Sequence, residues 1–410
     1  MVRKKIAIIG GGITGLYLGY HLSQNHQVTI FEKNLKVGGL LASSRLSDWD
    51  WSADNFYHHF FSSDRELINL LEELSLAYSF KKPITAIWRK NSIDHFSSPK
   101  DLITFPHLNF FDKIRLGGGL GLLKIIPHHR LIPDQEAVKI FPKITGLASY
   151  QTIWEPLMRG KFGTHHHQVS AIWLWARIKK RSHRLGYPQG GFVKLVEQLA
   201  KKITSSQGKI KTNQIISNFS QLTDFDKLIF TIPKINFEKI INPQRKSTEK
   251  TPLFLASLNL ILSGSKPILK NDLYWLNIAD SSFPFVVMIN QAGLVNQKHY
   301  GNNYLTYIGG YYSQDDPLLK MSAREVLAKF TPFIKKINPE FEPKSYQAHL
   351  FHYLWAQPIV TPGYQKTLPS FTTKHKNIYL VNMEQIYPWD RGINYALGLA
   401  NKFLKISCSW

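Results

Sequence analysis

The feature that most constrains this chain is a glycine-rich turn placed between a short apolar strand and a helix near the N-terminus. Residues 5–9 (Lys-Ile-Ala-Ile-Ile) have the composition of a strand buried in a parallel sheet. An apolar helical face then runs from Leu16 to about Gln24, and a second strand follows at residues 27–31. The turn between the first strand and the helix carries Gly10, Gly12 and Gly15. This order predicts a βαβ unit with a phosphate-binding first turn.

Each residue of the turn has a physical role in such a unit. Gly10 permits the tight turn, Gly12 lets the backbone approach a pyrophosphate, and Gly15 lets helix and strand pack closely. The helix N-terminus offers free N–H groups and the positive end of its dipole. Glu32, at the end of the second strand, can accept hydrogen bonds from a ribose and would repel a 2′-phosphate. The sequence therefore predicts a dinucleotide site and argues against NADP there.

Composition bounds the class of protein. The 410 residues are 43% hydrophobic and 19% charged, so a large core is expected and wholesale disorder is excluded. The single cysteine, Cys408, excludes an internal disulfide and a cysteine-rich zinc site. No stretch approaches the ~20 apolar residues that span a bilayer. We expect a cytoplasmic protein of two or three domains, with contact to the inner face of a membrane as an alternative.

A second glycine pair narrows the cofactor. Five residues after Glu32 the chain reads Val-Gly-Gly-Leu at 37–40. The glycine-rich turn, the acid and this pair together resemble the start of the flavin-containing amine oxidase superfamily, most closely its bacterial protoporphyrinogen-oxidase-like members, and also UDP-galactopyranose mutase. The resemblance implies FAD as cofactor. It implies cofactor contacts at Gly10, Gly12, Ile13, Thr14, Gly15, Glu32, Lys33, Gly38, Gly39 and Leu40.

Later segments resemble the same superfamily. Residues 54–60 match its Asp-x-Gly-x-His-x-Phe segment, except that Phe56 stands in place of glycine. Residues 185–192 resemble the return of the chain into the FAD domain. A strand at 209–216 is expected to contact adenine through Ile215, and a strand at 377–382 precedes a closing loop and a helix through Leu404. The resemblance implies flavin contacts at Arg391, Gly392 and Ile393, with Asn382 or Glu384 in place of the family's aspartate.

These assignments predict an α/β fold with a Rossmann-like FAD-binding domain containing a parallel sheet, and a substrate domain of helices and antiparallel sheet. The FAD-binding domain should be discontinuous, formed by residues 1–80, 185–245 and 345–410. The substrate domain should comprise residues 81–184 and 246–344. The stretch 242–250 is rich in turn-forming and charged residues and is the clearest linker.

The two inserted segments have different patterns. The first is mostly helical, with Trp173, Trp175 and Ile178 on one face, and its glycine run at 116–121 predicts a loop or a helix break. The second has apolar runs separated by turn residues, which is typical of an antiparallel sheet. Those runs lie at 253–262, 274–278, 285–289 and 304–308, and a helix is expected over 323–337.

Candidates for chemistry lie near the predicted flavin. His58 and His59 follow the second FAD segment, where a histidine acts as base, donates to the substrate, or orients the cofactor. Tyr353 and Tyr387 are candidates for the pocket wall or for aromatic packing. The three histidines at 165–167 are adjacent in sequence and would point in different directions. We therefore expect no metal site.

Charge adds a prediction about partners. Lys plus Arg number 51 against 28 Asp plus Glu, a formal charge of +23. Residues 81–190 contain 18 of the basic and 6 of the acidic residues, so about half of the surplus lies in the first insert. An anionic substrate or an anionic membrane surface is therefore favoured over nucleic acid, for which no motif is present.

Two segments of the first insert each allow two interpretations. The cationic run from Arg177 to Arg184 is either a solvated helix face or a contact for phosphate or lipid headgroups. The apolar, glycine-rich stretch from Phe105 to Ile126 is either a membrane-surface segment or a helix pair above the substrate pocket.

The predicted activity is removal of a hydride from a small-molecule substrate by an FAD-dependent oxidoreductase, with oxygen, a quinone or another acceptor reoxidising the flavin. Two alternatives remain open. One is a non-redox flavoenzyme of the UDP-galactopyranose mutase type, acting on a sugar nucleotide. The other is a basic nucleic-acid- or membrane-binding protein that keeps only the fold.

Overall fold

A parallel sheet and a larger mixed sheet, linked by helices, form the molecule in a computed structural model that describes residues 3–46, 48–243 and 253–407. The predicted linker lies largely outside these residues, and Cys408 wholly outside. The strands are β1 (Lys5–Ile9), β2 (Gln27–Phe31), β3 (Ser43–Ser44), β4 (Ala53–Asp54), β5 (Phe60–Phe61), β6 (Tyr78–Lys81), β7 (Ile84–Arg89), β8 (Ser92–His95), β9 (Leu185–Pro188), β10 (Lys209–Lys211), β11 (Lys227–Phe230), β12 (Phe254–Gly264), β13 (Leu273–Ile278), β14 (Val287–Asn290), β15 (Tyr304–Tyr312), β16 (Gln347–Pro358) and β17 (Ile378–Leu380).

Six of the α-helices follow one another between β8 and β9. They are α1 (Ile13–Leu22), α2 (Arg65–Glu73), α3 (Pro99–Thr104), α4 (Phe110–Ile125), α5 (Ala137–Thr145), α6 (Leu147–Ser149), α7 (Glu155–Phe162), α8 (Ala171–Lys180), α9 (Val193–Ser205), α10 (Lys234–Ile241), α11 (Ala323–Ile337) and α12 (Ile393–Ser407). Among the described residues, none of these helices combines the length and the apolar character that a membrane crossing requires.

The parallel sheet has the order β10-β2-β1-β11-β17. Its central strand β1 is apolar on both faces because both are covered: Ile6 and Ile8 belong to one core, and Ala7 and Ile9 to another. Helices α9 and α12 both pack on α1. The predicted Rossmann-like sheet is thus confirmed, and it places the turn after β1 at the carboxyl edge of the sheet.

The mixed sheet has the order β16-β12-β15-β14-β13-β7-β8, antiparallel except between β13 and β7. Strand β12 is buried along all 11 residues and is paired on both sides. The predicted antiparallel runs of the second insert are therefore present. The sheet also takes β7 and β8 from the first insert and β16 from the segment 345–410.

Several predicted elements differ from the structure in their bounds. The strand expected at 209–216 is only three residues long, since beyond Lys211 the chain turns and its amides pair with Asn34 and Glu32. The closing strand is likewise confined to residues 378–380.

The glycine run at 116–121 was expected to break the chain into a loop, and this was wrong. Helix α4 continues through it. A Cβ at Gly119 would lie 2.7 Å from the carbonyl oxygen of Ile144, so this glycine allows α4 to pack closely on α5. Within the segment 105–126, residues 110–125 therefore form one continuous helix, which a short turn separates from α3.

Candidate functional site

Of the glycines in the turn after β1, only Gly12 has open space beside it. Cβ atoms added at Gly10, Gly11 and Gly15 would lie within 3 Å of other atoms, including 2.0 Å between Gly15 and the carbonyl oxygen of Gly10. A Cβ at Gly12 would meet nothing within 4 Å. Gly12 is the N-cap of α1, whose first turn contains no acidic residue. The free space therefore lies beside unpaired amides at the positive end of a helix dipole.

Glu32 anchors this turn from the end of β2. Its side chain is buried, and its Oε2 accepts a hydrogen bond from the Gly11 amide at 2.8 Å. Its Oε1 accepts from the backbone and side-chain nitrogens of Asn34 at 2.9 and 2.7 Å. An ionised carboxylate has about four acceptor positions. One position on Oε2 therefore stays available for a hydroxyl group.

The second glycine pair closes against the first turn. The Gly38 amide donates to the Gly11 carbonyl oxygen at 2.8 Å, and a Cβ at Gly39 would lie 3.3 Å from the Gly12 Cα atom. Gly38 has φ of +124°, which favours glycine. We call the region formed by residues 10–15, Glu32 and residues 38–39 the nucleotide-binding edge. Its open space, free amides and remaining carboxylate acceptor fit the diphosphate and ribose of FAD.

The other predicted cofactor residues lie around this edge. Ile13 and Thr14 are in the first turn of α1, and Leu40 is in the short helical turn after Gly39. Lys33 is exposed, and the side chain of Ile215 is 67% exposed in the extended segment after β10. The structure brings that segment beside Glu32, since the Gln214 amide donates to the Glu32 carbonyl oxygen at 2.9 Å. The adenine contact of Ile215 stays a prediction.

Asn382 and Glu384 are buried after the closing strand. The Asn382 side chain accepts from the Glu384 amide at 3.0 Å and donates to the Ile232 carbonyl oxygen at 2.9 Å. Glu384 accepts from the Lys234 amide at 2.8 Å, and burial raises its pKa to about 7. Both side chains therefore join the turn after β17 to the residues that follow β11. This arrangement gives each a structural role besides the cofactor contact predicted for one of them.

His58 and His59 lie between β4 and β5, next to the returning strand β9. The Tyr187 hydroxyl donates to the buried Asp54 carboxylate at 2.7 Å, which joins these two segments. Burial, and then the charge of Arg391, lower the pKa of His58 to about 4. Burial, and then Arg181, lower the pKa of His59 to about 3. Both imidazoles are thus neutral at pH 7, because burial and the nearby cations oppose their protonation.

A cluster of cations surrounds one carboxylate in the loop before α12. Arg177 of α8 forms an ion pair with Asp390, and the Lys161 Nζ atom of α7 lies 3.6 Å from the same carboxylate. The Trp173 indole also donates to it at 2.9 Å. Burial favours the neutral form of Asp390, but Lys161, Arg177 and Arg391 outweigh it and hold its pKa well below the usual range. We call Lys161, Arg177, Asp390 and Arg391 the cationic cluster.

Two further groups complete the cluster. Arg391 donates to the Gln357 side chain at 2.9 Å and to the Tyr311 hydroxyl at 2.5 Å. Burial, and then Arg177, lower the pKa of Lys161 to about 8. Burial would raise the pKa of Tyr311, but Arg391 and Lys161 lower it to about 8. With one carboxylate for three cations, the cluster keeps two positive charges at pH 7.

Arg181 adds a cation at the end of α8. Its side chain is exposed, yet burial, and then Arg177, lower its pKa to about 10. The guanidinium is therefore surrounded by protein atoms on one side and open to water on the other. The charges of Arg181 and Arg177 both influence His59. The predicted cationic run at 177–184 is therefore partly directed inward, toward the histidines.

Strand β16 connects the cluster with the nucleotide-binding edge. Gln357 donates to Asp390 at 3.3 Å, while Glu32 contributes to the raised pKa of Tyr353, whose main cause is burial. These two residues of β16 are four positions apart, at most about 13 Å along a strand. A molecule lying along this strand would therefore reach both regions.

The four candidate catalytic residues lie in three different environments. His58 and His59 are influenced by cationic side chains, and Tyr353 lies nearer the nucleotide-binding edge. Tyr387 instead packs against His129 and Tyr364, with ring centroids 5.3 and 6.1 Å away. Its surroundings are those of a packed aromatic residue at the edge of the helical insert.

Sequence reasoning missed three residues of the cluster, namely Lys161, Tyr311 and Asp390. Asp390 stands next to Arg391 in a loop that had already been singled out, and this neighbourhood is a usable signal. Lys161 and Tyr311 carry no such signal, because each lies in an ordinary amphipathic element that is far from Arg391 in sequence. Among the described residues, no group of three or more His, Cys, Asp or Glu is placed to hold a metal ion.

Comparison with known proteins identifies the family. Residues 13–237 match the model of the family described as flavin containing amine oxidoreductase. A curated relative, coproporphyrinogen III oxidase of Staphylococcus aureus (strain NCTC 8325 / PS 47), is 26% identical over 198 residues, which cover 45% of this chain and 42% of that relative. The matched region thus spans less than half of the relative's length.

Solved structures share the fold along the whole chain. A proposed protoporphyrinogen oxidase from Exiguobacterium sp. 255-15 superimposes with a TM-score of 0.77, at 16% identity and with 100% of both chains covered. Reduced UDP-galactopyranose mutase gives a TM-score of 0.71 at 15% identity, with 98% of this chain and 97% of that chain covered. At these identities the likeness concerns the fold. On the family match, the chain belongs to the flavin-containing amine oxidoreductases, a family of FAD-dependent oxidoreductases.

Proposed function

We propose that this chain removes a hydride from a small-molecule substrate that carries a carboxylate or phosphate group. The observation that carries the proposal is the unbalanced charge of the cationic cluster. Lys161, Arg177 and Arg391 share the single carboxylate of Asp390, and Arg181 lies nearby. Partly buried cations are costly without counter-charges. An anionic substrate would supply the missing charge.

The side chains of the cluster have distinct tasks in this proposal. A guanidinium binds a carboxylate or phosphate through two parallel hydrogen bonds, which fixes orientation as well as position. Arg391 is held in place by Gln357 and Tyr311. Arg181 has no side-chain hydrogen bond or ion pair among the described residues. Arg181 is therefore the cation most available to a substrate.

His58 and His59 offer hydrogen-bonding groups to the substrate. Both are neutral at pH 7, and the Nδ1 atom of His58 is buried with no hydrogen-bond partner in the described structure. His59 Nδ1 lies 3.2 Å from the Tyr274 hydroxyl, which fixes the ring. When bound, FAD supplies the two-electron acceptor for a hydride. Oxygen, a quinone or another acceptor would then restore the oxidised cofactor.

A second candidate is a reaction of the UDP-galactopyranose mutase type, in which no net electrons move. The cationic cluster would suit the diphosphate of a sugar nucleotide as well as a carboxylate. The fold likeness to reduced UDP-galactopyranose mutase covers 98% of this chain. The two candidates differ in one measurable property. An oxidoreductase consumes an electron acceptor with each turnover, whereas a mutase needs only a reductant to start.

An anaerobic screen of the FAD-loaded protein tests the proposal. The panel contains porphyrinogens, sugar nucleotides, amines and polyenes, with each carboxylated porphyrinogen paired with its methyl ester. We expect an anionic compound to remove the yellow flavin absorbance, and its neutral ester to do so at least tenfold more slowly. Bleaching by neutral compounds alone would contradict the anionic substrate. Conversion of a sugar nucleotide by reduced protein without acceptor consumption would favour the mutase.

A further inference from the structure

Helix α4 shows an apolar face to solvent. The side chains of Phe110, Phe111, Ile114, Leu122 and Ile125 are between 52% and 79% exposed. At about 100° per residue, these five positions lie within one arc of about 120°, together with Gly118 and Gly121. The opposite face is also apolar but is buried, through Leu116 and Leu123. The helix thus has one apolar face for the core and a second one that nothing in the described structure covers.

The exposed apolar residues are concentrated in this part of the molecule. Nine of the sixteen large hydrophobic side chains reported as exposed among the described residues lie between positions 103 and 147. Ile103 of α3 is 72% exposed, and its carbonyl oxygen accepts a hydrogen bond from the Lys113 Nζ atom at 2.7 Å. Helix α3 therefore extends the surface of α4. A concentration of this kind is unusual for a surface that faces only water.

Cations flank the apolar arc of α4 on both sides. On the same angular scale Arg115 follows one edge of the arc, whereas Lys113 and Lys124 precede the other. Their side chains donate to backbone carbonyl oxygens of Lys143, Ile103 and Arg181. None of the three has an ion pair with a carboxylate in the part of the chain that the structure describes. The one acidic residue of α4, Asp112, lies on the side turned away from the arc.

We propose that α4 docks this protein onto the surface of an anionic lipid bilayer, lying parallel to it with the apolar arc among the acyl chains. An in-plane helix of this type combines an apolar face with flanking Lys and Arg residues. The charge pattern selects a lipid surface, because its anionic headgroups would meet the cations on both sides of the arc at once. The surplus of 12 positive charges over residues 81–190 adds long-range attraction.

Vesicle co-sedimentation of the FAD-loaded protein tests this proposal. One vesicle population is pure phosphatidylcholine, and the other contains one quarter phosphatidylglycerol. We expect binding to the anionic vesicles, weakened at least tenfold in F111S/I125S. The matched control, F219S/L354S, changes two residues that are 41% exposed elsewhere and should bind as the wild type does. Unchanged FAD content shows that each variant is folded.

A charge variant separates the contribution of the flanking cations from that of the apolar arc. K113Q/R115Q should lose about 30-fold in affinity for the anionic vesicles, about 2 kcal/mol for the two basic residues together, and should change little on pure phosphatidylcholine. Failure of the wild type to bind anionic vesicles would overturn the proposal. So would F111S/I125S binding as tightly as the wild type. A wild-type dimer that this variant dissociates, without vesicle binding, would assign the face to self-association instead.

Discussion

The nucleotide-binding edge and the cationic cluster both offer positive groups to a ligand, but they do so with different parts of the polypeptide. At the edge the positive groups are backbone amides at the start of α1, exposed because Gly12 has no side chain. In the cluster they are the side chains of Lys161, Arg177 and Arg391 around Asp390. The edge carries no net side-chain cation of its own, whereas the cluster carries a surplus.

This difference determines how each region tolerates change. The edge depends on short distances between backbone atoms, so that one added carbon atom either clashes or fills the binding space. The cluster depends on a sum of charges, and removing one cation leaves others in place. A single substitution should therefore have a large effect on binding or folding at the edge and a smaller effect on binding in the cluster.

The largest effect is expected from Gly15→Ala. Its Cβ atom would lie 2.0 Å from the carbonyl oxygen of Gly10, a contact that only a backbone shift can relieve. We expect the free energy of unfolding of the FAD-free protein to fall by about 3 kcal/mol in urea titrations, as for severe overpacking. Gly12→Ala is the matched control and should cost under about 1 kcal/mol. Equal stabilities of the two variants would show that the packing at Gly15 is not as tight as described.

Gly12→Val should separate cofactor binding from folding. Because a Cβ at Gly12 meets no protein atom within 4 Å, the variant should fold, but its side chain would occupy the space assigned to the diphosphate. We expect FAD affinity to fall at least 100-fold, about 2.7 kcal/mol, in calorimetric titrations. Gly121→Val introduces the same side chain at an equally open glycine on α4 and should bind FAD normally. Stoichiometric FAD in Gly12→Val would contradict the placement of the edge.

Arg181→Gln should act mainly on substrate binding, with a smaller effect through the charge near His59. We expect KM for the anionic compound found in the anaerobic screen to rise about tenfold, typical of one charge-assisted contact, while FAD content stays unchanged. Arg184→Gln removes an exposed cation three residues away that lies over the Phe80 ring, and it should leave KM unaltered. If both variants behave alike, the charge near α8 acts only through the general field of the protein.

The smallest effect is a dependence on pH. Lys161 and Tyr311 both have a pKa of about 8. As pH rises through this value, Lys161 loses its positive charge and Tyr311 gains a negative one. Affinity for the anionic substrate should therefore be full below pH 7 and fall about three- to tenfold by pH 9, measured by flavin absorbance titration. Lys161→Arg should reduce this dependence, and adding Tyr311→Phe should remove most of the remainder. A flat wild-type profile would exclude these groups from the anion site.

The sequence predicted the nucleotide-binding edge better than it predicted the cationic cluster. Strands β1 and β2 were placed at their observed bounds, because an apolar run between a basic end and a glycine turn leaves little freedom of register. The glycine run of α4 was misjudged, since local propensity ignores the gain from packing Gly119 against Ile144. The role of Arg177 and Arg181 was left between solvated face and anion contact, because a helix pattern does not show which neighbours surround its polar side.

The sequence by itself determined the βαβ unit, since this unit depends on residues within about 30 positions of one another and on backbone chemistry that glycine alone permits. The cofactor class followed from the resemblance of this unit and of later segments to a known family. The tertiary structure decided how the cluster is assembled. Lys161, Arg177, Tyr311, Gln357 and Asp390 come from two helices, two strands and a loop that are separated by up to 229 positions. Only folding brings their charges within a few ångströms, where low polarity strengthens each interaction and shifts each pKa.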